Sequence, residues 1–318
     1  MREILVMSSK DSVYFASLIA RGLWVSHLTD VERREFGDHE QYYRIGITHR
    51  NDLMGNDVVY VASTHSDADF LELQRVGSAL AGYGTRRRIF VIPFFGYSTM
   101  ERAVHPGEVV TAKTNARILS AIPNTVMGNT FLMLDLHAAG IVHYFEGDCL
   151  RYELYAEKVL QEAVANLGLE NFMFASADMG RPLWVQSFAN HFGTDVAFIS
   201  KSRDFEETRI LAVIGDVAGR NVIIYDDMTR SGGTLIQAAK AYLERGATSV
   251  TAVLSHLALN DPSVVQMLLD SPIERIITTN SHPMSQIPQV QTSDRFVVVD
   301  AHQIFVETIR ELLEGSKE

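Results

Sequence analysis

The stretch Asn221–Val250, NVIIYDDMTRSGGTLIQAAKAYLERGATSV, constrains the fold of this chain more than any other. Val222–Tyr225 is a short apolar run that reads as a buried strand of a parallel sheet. Asp226 and Asp227 stand where that strand should end, and Thr229-Arg230-Ser231-Gly232-Gly233-Thr234 follows as a turn of mostly small residues. Leu235, Ala238, Ala239 and Leu243 then recur on a helical period. A turn of this kind leaves unpaired backbone N–H groups at a helix N-terminus beside hydroxyl donors, which suits a phosphate. Carboxylates at the strand's carboxyl edge can take ribose hydroxyls or a divalent cation. Any one of these features alone reads as an acidic strand end or an ordinary loop. In this order they describe a grip on a sugar phosphate.

Such a unit needs a sheet around it, and 318 residues are enough for two domains of about 150 residues each. A 47% hydrophobic share supplies a core, and 21% charge suits an aqueous surface. The net charge of −11, from 28 basic and 39 acidic residues, argues against general nucleic-acid binding. The single cysteine, Cys149, rules out an internal disulfide and fits a reducing cytosol, so a cytoplasmic location is expected. The chain opens on a strand-like Glu3–Met7, so no signal peptide is expected, and no apolar run approaches a membrane span of about 20 residues. Arg86-Arg87-Arg88, the one basic run, reads as a solvated strand entry.

Periodicity predicts a helix over Ser12–Leu23, a polar turn at Phe36–Glu40 and a strand over Tyr42–Ile47. Strand Asp57–Ser63, helix Phe70–Ala81 and strand Arg88–Phe95 follow. This order repeats in strand 222–226, helix 234–245 and strand 249–255, which suggests a tandem duplication of one α/β unit. Between the copies come helix Thr111–Ala121, strand Thr130–Leu136, helix Tyr152–Leu167, strand Phe172–Ser176 and helix Pro182–Phe192. Val196–Ser200 reads as a strand entering a mobile charged loop, Lys201–Arg209. Strands Glu274–Thr279 and Phe296–Val299 and helix Ile304–Leu313 close the chain. The expected fold class is α/β, with domains at residues 1–149 and 150–318 and the last helix free to pack back on the first.

Asp135-Leu136-His137 ends a buried strand, which aims its polar side chains at the ligand crevice of an open α/β sheet. His137 is a candidate metal ligand or phosphate donor, against the plainer reading of a structural histidine. Asp178, after the strand Phe172–Ser176, is a second candidate ligand for the same cation. Lys201 and Arg203, one residue apart in an extended loop, would share a face and could clamp a transferring phosphoryl group.

With these residues in place the chain resembles, nearly end to end, the ribose-phosphate pyrophosphokinases (PRPP synthetases), built from two phosphoribosyltransferase-like domains, each a mainly parallel sheet flanked by helices. The matching features are Phe36-x-Asp38-x-Glu40, Val91–Tyr97, Thr111-Ala112-Lys113, Asp135–Ala138, Asp178, Ile214–Val217 and the loop from Asp226. The resemblance implies that Phe36, Asp38 and Glu40, with Arg102, hold the adenine nucleotide. It implies that His137 and Asp178 bind Mg²⁺, with Mn²⁺ as an alternative, and that Lys201 and Arg203 form the catalytic flexible loop. Asp226, Asp227, Thr229, Arg230, Ser231, Gly232, Gly233 and Thr234 would hold ribose 5-phosphate. Two departures bear on the donor. Thr99 and Met100 replace the family's usual Arg-Gln pair, and Ser200-Lys201-Ser202-Arg203 replaces Asp-Lys-Arg-Arg. Both resemble the class II, plant-type branch, which is associated with a looser choice of nucleotide.

The implied activity is pyrophosphoryl transfer from Mg·ATP to the 1-hydroxyl of ribose 5-phosphate, giving PRPP and AMP. A homo-oligomer is expected, with no nucleic acid or membrane partner. Three alternatives stay open: a non-catalytic regulatory homologue, a phosphoribosyltransferase that consumes PRPP, and a pyrophosphokinase acting on a larger ribose-5-phosphoryl compound.

Overall fold

The computed structural model describes residues 3–26, 28–178, 182–203 and 208–314, with the side chains of 201–211 outside that set. By internal packing the chain divides into one unit of residues 1–155 with 301–318 and a second of residues 156–300.

The first unit contains β1 (Ile4–Ser8), α1 (Val13–Gly22), β2 (Val31–Glu35), β3 (Gln41–Ile45), β4 (Asp57–Val61), α2 (Asp67–Gly82), β5 (Arg87–Ile92), α3 (Thr111–Ser120), β6 (Asn129–Leu134) and β7 (Leu150–Leu154). Five strands form a parallel sheet in the order β1-β4-β5-β6-β7. Its central strands DVVYV, RRIFVI and NTFLML are buried at every position, as parallel strands covered on both faces must be. Helix α2 starts where Ser66 Oγ accepts a bond from Asp69 N–H at 3.2 Å, with Asp67 and Asp69 in the positive first turn. β2 and β3 form a separate antiparallel hairpin.

The second unit runs α4 (Glu157–Ala165), β8 (Phe172–Ser176), α5 (Pro182–Phe192), β9 (Val196–Arg203), β10 (Thr208–Ile214), β11 (Asn221–Thr229), α6 (Gly233–Glu244), β12 (Ser249–Leu257), α7 (Ser263–Leu269), β13 (Arg275–Thr279), α8 (Pro288–Gln291) and β14 (Phe296–Val299). Its seven-stranded sheet has the order β10-β9-β8-β11-β12-β13-β14, parallel except for β10 against β9. The chain then returns to the first unit as α9 (His302–Glu314), which packs on α1. Phe15 and Phe305 meet edge to face at 5.5 Å, and Gly22 lies so close to Val306 that a Cβ there would come within 2.6 Å of it. Arg310 donates to the Gly22 carbonyl, and Arg87 to that of Leu312.

Several expectations are corrected. Residues 152–154 are strand, not the start of a helix, so β7 joins the first sheet and the division falls after Tyr155 rather than at 149. β7 is an exposed edge strand, and its alternation blends into the helical period of α4. The basic run is not solvated: Arg86 pairs with Asp57, while Arg87 and Arg88 are buried. The Arg88 guanidinium donates to the carbonyls of Gly77 and Pro123, and burial pushes its pKa down to about 10. Lys201 and Arg203 lie on β9, paired with Ile210 and Thr208 in an antiparallel ladder, instead of in a loop.

Candidate functional site

β11 carries the acid pair, and it does not stop there: its pairing with β12 continues through Met228 and Thr229. Asp226 is half-buried and Asp227 buried, so the carboxylates sit inside the last third of the strand. Burial, the Asp227 carboxylate and the more distant Asp178 hold the Asp226 carboxyl well above its ordinary range. The Asp227 N–H donates to Asp226 Oδ1 at 2.9 Å, fixing that side chain along its own backbone. Three acidic groups therefore gather near the carboxyl end of β11 in the second unit, an electrostatic debt that a divalent cation or hydroxyl donors would relieve.

The turn that follows is shaped by one glycine. Gly232 has φ 71°, where an added Cβ would stand 3.1 Å from Leu268 Cδ2. Gly233 needs no such freedom, since a Cβ there would meet only Ser231 Oγ at 3.6 Å. The turn is held at Arg230, whose carbonyl accepts from Asn260 N–H at 3.1 Å. Ser231 and Thr234 are exposed beside the amino end of α6, and Thr229 is buried beneath them. Behind the acid pair, Tyr225 is sandwiched against the sheet by Phe188 at 4.4 Å and Trp184 at 6.2 Å, both on α5. This stacking fixes the helix that follows Asp178 against the strand that carries Asp226.

In the first unit the β2–β3 hairpin presents Phe36, Asp38 and Glu40 at its exposed tip. The turn is closed by Phe36 N–H to Glu40 O and His39 N–H to Phe36 O, both 2.9 Å, with His39 in the left-handed region at φ 69°. The hairpin's root is fixed by Arg33, which makes a two-pronged bond to Glu72 of α2 (Nε to Oε2 2.9 Å, Nη2 to Oε1 2.6 Å). Arg33 also donates to the carbonyls of Ser8 and Val31, and the buried Tyr60 hydroxyl donates to Glu72 at 2.7 Å. Burial opposes the Arg33 charge, yet bonding and attraction to Glu72 outweigh it and hold its pKa above the ordinary value. Nothing in VERRE marked this strand or this anchor, because its partner is far away in sequence.

Asp135 follows β6 with φ 39° and is buried, its N–H bonded to Leu154 O, so the backbone turns sharply to present the half-buried His137. Arg102 is exposed and pairs with Glu101 at 3.4 Å. Thr99 is half-buried and Met100 exposed, after a Tyr97 whose hydroxyl donates to Asp67 at 2.6 Å. Gly96 is demanded by packing, since a Cβ there would lie 1.9 Å from Thr64 O. His137 thus belongs to the first unit and Asp178 to the second. The side chains of Lys201 and Arg203 lie outside the described residues.

Comparison with known proteins gives this arrangement a family. Residues 4–122 match the N-terminal domain of ribose phosphate pyrophosphokinase, and residues 195–317 match the phosphoribosyl synthetase-associated domain. A ribose-phosphate pyrophosphokinase of Helicobacter hepaticus is 30% identical over 98% of this chain and 96% of its own. Proteins of the same name from Chlorobaculum tepidum (28%; 98% and 93%) and Agrobacterium fabrum (30%; 96% and 95%) are similar over nearly as much. The crystal structure of phosphoribosylpyrophosphate synthetase from Mycobacterium smegmatis superposes with a TM-score of 0.85 at 24% identity, covering 99% of this chain and all of that one, which shows a shared fold. The chain is a member of the ribose-phosphate pyrophosphokinase family.

Proposed function

We propose that this enzyme transfers the pyrophosphoryl group of ATP to the 1-hydroxyl of ribose 5-phosphate, releasing AMP. The observation that carries the proposal is the β11–α6 turn: an acid pair on a strand, a left-handed glycine, and hydroxyls beside a helix N-terminus. That turn suits a sugar phosphate, and full-length membership of the family supplies the donor chemistry. The ribose hydroxyls are assigned to Asp226 and Asp227, and the 5-phosphate to Thr229–Thr234. The nucleotide is assigned to Phe36, Asp38, Glu40 and Arg102.

Mg²⁺ is the proposed cation, with Mn²⁺ as its substitute. The residues fit: an Asp226 carboxyl pushed up by burial, then by Asp227 and Asp178, has acidic neighbours in the oxygen-rich setting that hard divalent cations occupy. Asp178 in the second unit and His137 in the first are each proposed as ligands. When bound, the cation neutralises charge on the transferring phosphates.

In the proposed reaction the sugar O1 attacks the β-phosphorus in line. The new O1–P bond forms as the bond from the β-phosphorus to the α,β-bridging oxygen breaks; AMP leaves with that oxygen, and the proton lost from O1 passes to water. Lys201 and Arg203 are assigned to the developing charge, so catalysis is mainly positioning and electrostatic stabilisation. The test is phosphorus NMR of the purified chain with ATP, ribose 5-phosphate and Mg²⁺. Equal appearance of AMP and a sugar pyrophosphate is expected, and ATP left intact under these conditions refutes the reading. Repeating it with GTP and CTP tests the consequence of Thr99 and Met100: turnover within about a hundredfold of ATP is expected from a donor site that lacks the Arg-Gln pair.

A further inference from the structure

The turn that carries His137 is held by a side chain to which the proposed reaction gives no part. β6 and β7 run in parallel register, with Met133 opposite Glu153 and Leu134 opposite Leu154. The chain leaves β6 at Asp135, whose N–H still reaches Leu154 O at 2.9 Å while its φ of 39° turns the backbone out of the sheet. The next N–H, that of Leu136, donates to a side chain instead, Glu153 Oε1 at 3.2 Å. Leu136 is 2% exposed, so losing this acceptor would cost desolvation that water cannot repay. Glu153 takes over from the backbone of β7 at the step where the left-handed residue breaks the pairing.

Three further bonds fix the two sides of this step. The Tyr155 hydroxyl bonds the Glu153 carboxylate. Burial first, then the charge and bonding of Glu153 and the charge of Asp135, raise the Tyr155 pKa, so the hydroxyl keeps its proton and donates. Glu153 is half-buried on an edge strand, and this second donor limits its swing away from Leu136. Beyond His137 the chain is held again: the Ile141 N–H donates to Ala138 O at 3.0 Å, and the Tyr144 hydroxyl donates to Glu101 O at 2.6 Å. His137 therefore stands on a short segment clamped at both ends. Its left-handed neighbour keeps a conformation that residues other than glycine hold only where their surroundings over-determine it.

We infer that Glu153 is a positioning residue for His137: by accepting the Leu136 N–H it holds the left-handed turn at Asp135 and sets the backbone on which the imidazole stands. The inference rests on the reading of His137 as a cation ligand in the proposed function. Glu153 acts through the reach of its acceptor oxygen and not through its charge, since a backbone N–H requires only an acceptor. The assignments proposed above give it no contact with nucleotide or sugar phosphate. Every residue in the arrangement belongs to the first unit.

The test separates reach from charge, in the full chain. Glu153→Gln keeps an acceptor oxygen at the same reach without the charge, and the Tyr155 hydroxyl can turn to accept from its amide. Glu153→Asp keeps the charge but is one methylene shorter. Hydrogen exchange of the Leu136 amide, followed by NMR in chelator, reads the turn itself: it should speed up by about tenfold or more in Glu153→Asp and by less than about threefold in Glu153→Gln. The Asp135 amide, bonded to backbone, is the internal control, because a general loss of stability would quicken both. Broadening of the His137 ring signals by Mn²⁺, without nucleotide or sugar phosphate, should need about tenfold more ion in Glu153→Asp. The Mg²⁺ concentration for half-maximal turnover should rise to match, while turnover at saturating Mg²⁺ stays within about threefold of the parent. Parent behaviour in Glu153→Asp would overturn the inference. So would equal losses in the two variants, because charge would then be what matters, or exchange quickened equally at Asp135 and Leu136. The His137→Ala variant tells the two readings apart. An unchanged Mg²⁺ requirement there refutes His137 as a ligand and takes this inference with it, whereas a raised requirement there with none in Glu153→Asp removes only Glu153.

Discussion

Replacing Arg33 by Met tests whether the β2–β3 hairpin, to which the nucleotide is assigned in the proposed function, is held from its root. The native guanidinium bonds both Glu72 oxygens and donates to the Ser8 and Val31 carbonyls, with its own side chain 22% exposed and that of Glu72 only 7%. Met fills much of the volume but leaves the Glu72 carboxylate buried without its counter-charge. Breaking one side of a buried pair costs about 3–5 kcal/mol, and the two bonds to carbonyls are worth about 1 kcal/mol each. Because the Arg33 side chain keeps a solvent-facing edge, water screens part of this sum of about 5–7 kcal/mol, and about 3–4 kcal/mol is expected. For a unit of this size that lowers the melting temperature by about 6–16 °C. Tyr60, whose pKa burial and Glu72 push up, keeps its proton and remains a donor, so the double variant Arg33→Met/Glu72→Gln should recover most of the loss. Differential scanning calorimetry measures the stability, and steady-state kinetics measure the site. KM for ATP should rise while kcat stays within about twofold, because the anchor acts through Phe36, Asp38 and Glu40 instead of touching the reacting atoms. An unchanged melting temperature together with an unchanged KM would refute the reasoning. So would an equal loss in KM for ribose 5-phosphate.

Three further outcomes are expected. The Asp226 carboxyl is raised in the folded chain, so its contribution to stability is complete below the unfolded carboxylate value of about 3.9 and is lost as pH rises through the folded value; Asp226→Asn should therefore flatten the fall in melting temperature between acid and neutral pH measured in chelator, while abolishing turnover. Gly232→Val should cost about 1–2 kcal/mol in calorimetry, from its left-handed φ and its contact with Leu268, whereas Gly233→Ala should melt as the parent does. Lys201→Ala and Arg203→Ala should each cut kcat by an amount equivalent to about 3–4 kcal/mol with KM little altered, and near-normal turnover in both would remove them from the reaction.

How much of this was legible in the sequence depended on how local each cause was. The strand Phe172–Ser176 and the helix Pro182–Phe192 are bounded as their periodicity predicts, because each buries a continuous apolar face. The strand–turn–helix geometry from β11 to α6 was legible because strand, acids, glycine and helix lie next to one another in the chain. The glycine that needs its freedom was not distinguishable from its neighbour: only the approach of Leu268 singles out Gly232. β2 was missed because VERRE reads as a solvated charged run until Glu72, distant in sequence, is seen to receive Arg33. The β9–β10 hairpin was read as a loop because its charges obscure the period-two pattern that its ladder obeys. α7 was missed outright; its seven residues are too few for a helical period to stand out.

Because α9 completes the first unit, that unit is finished last during synthesis. Phe15, Ala16 and Ile19 emerge from the ribosome early, but Phe305, Val306 and Ile309, from the helix that covers α1, emerge only after residues 156–300 have been made. At about 5–20 residues per second, the interval between the emergence of Ile19 and that of Phe305 is about 14–57 s. Through it the nascent chain carries an apolar stripe on α1 with no cover, a natural holding point for a chaperone. The second unit, contiguous in sequence, can close on itself in the meantime. The order of maturation therefore runs against the order of translation: the unit that carries the β11–α6 turn is formed before the unit that carries the β2–β3 hairpin.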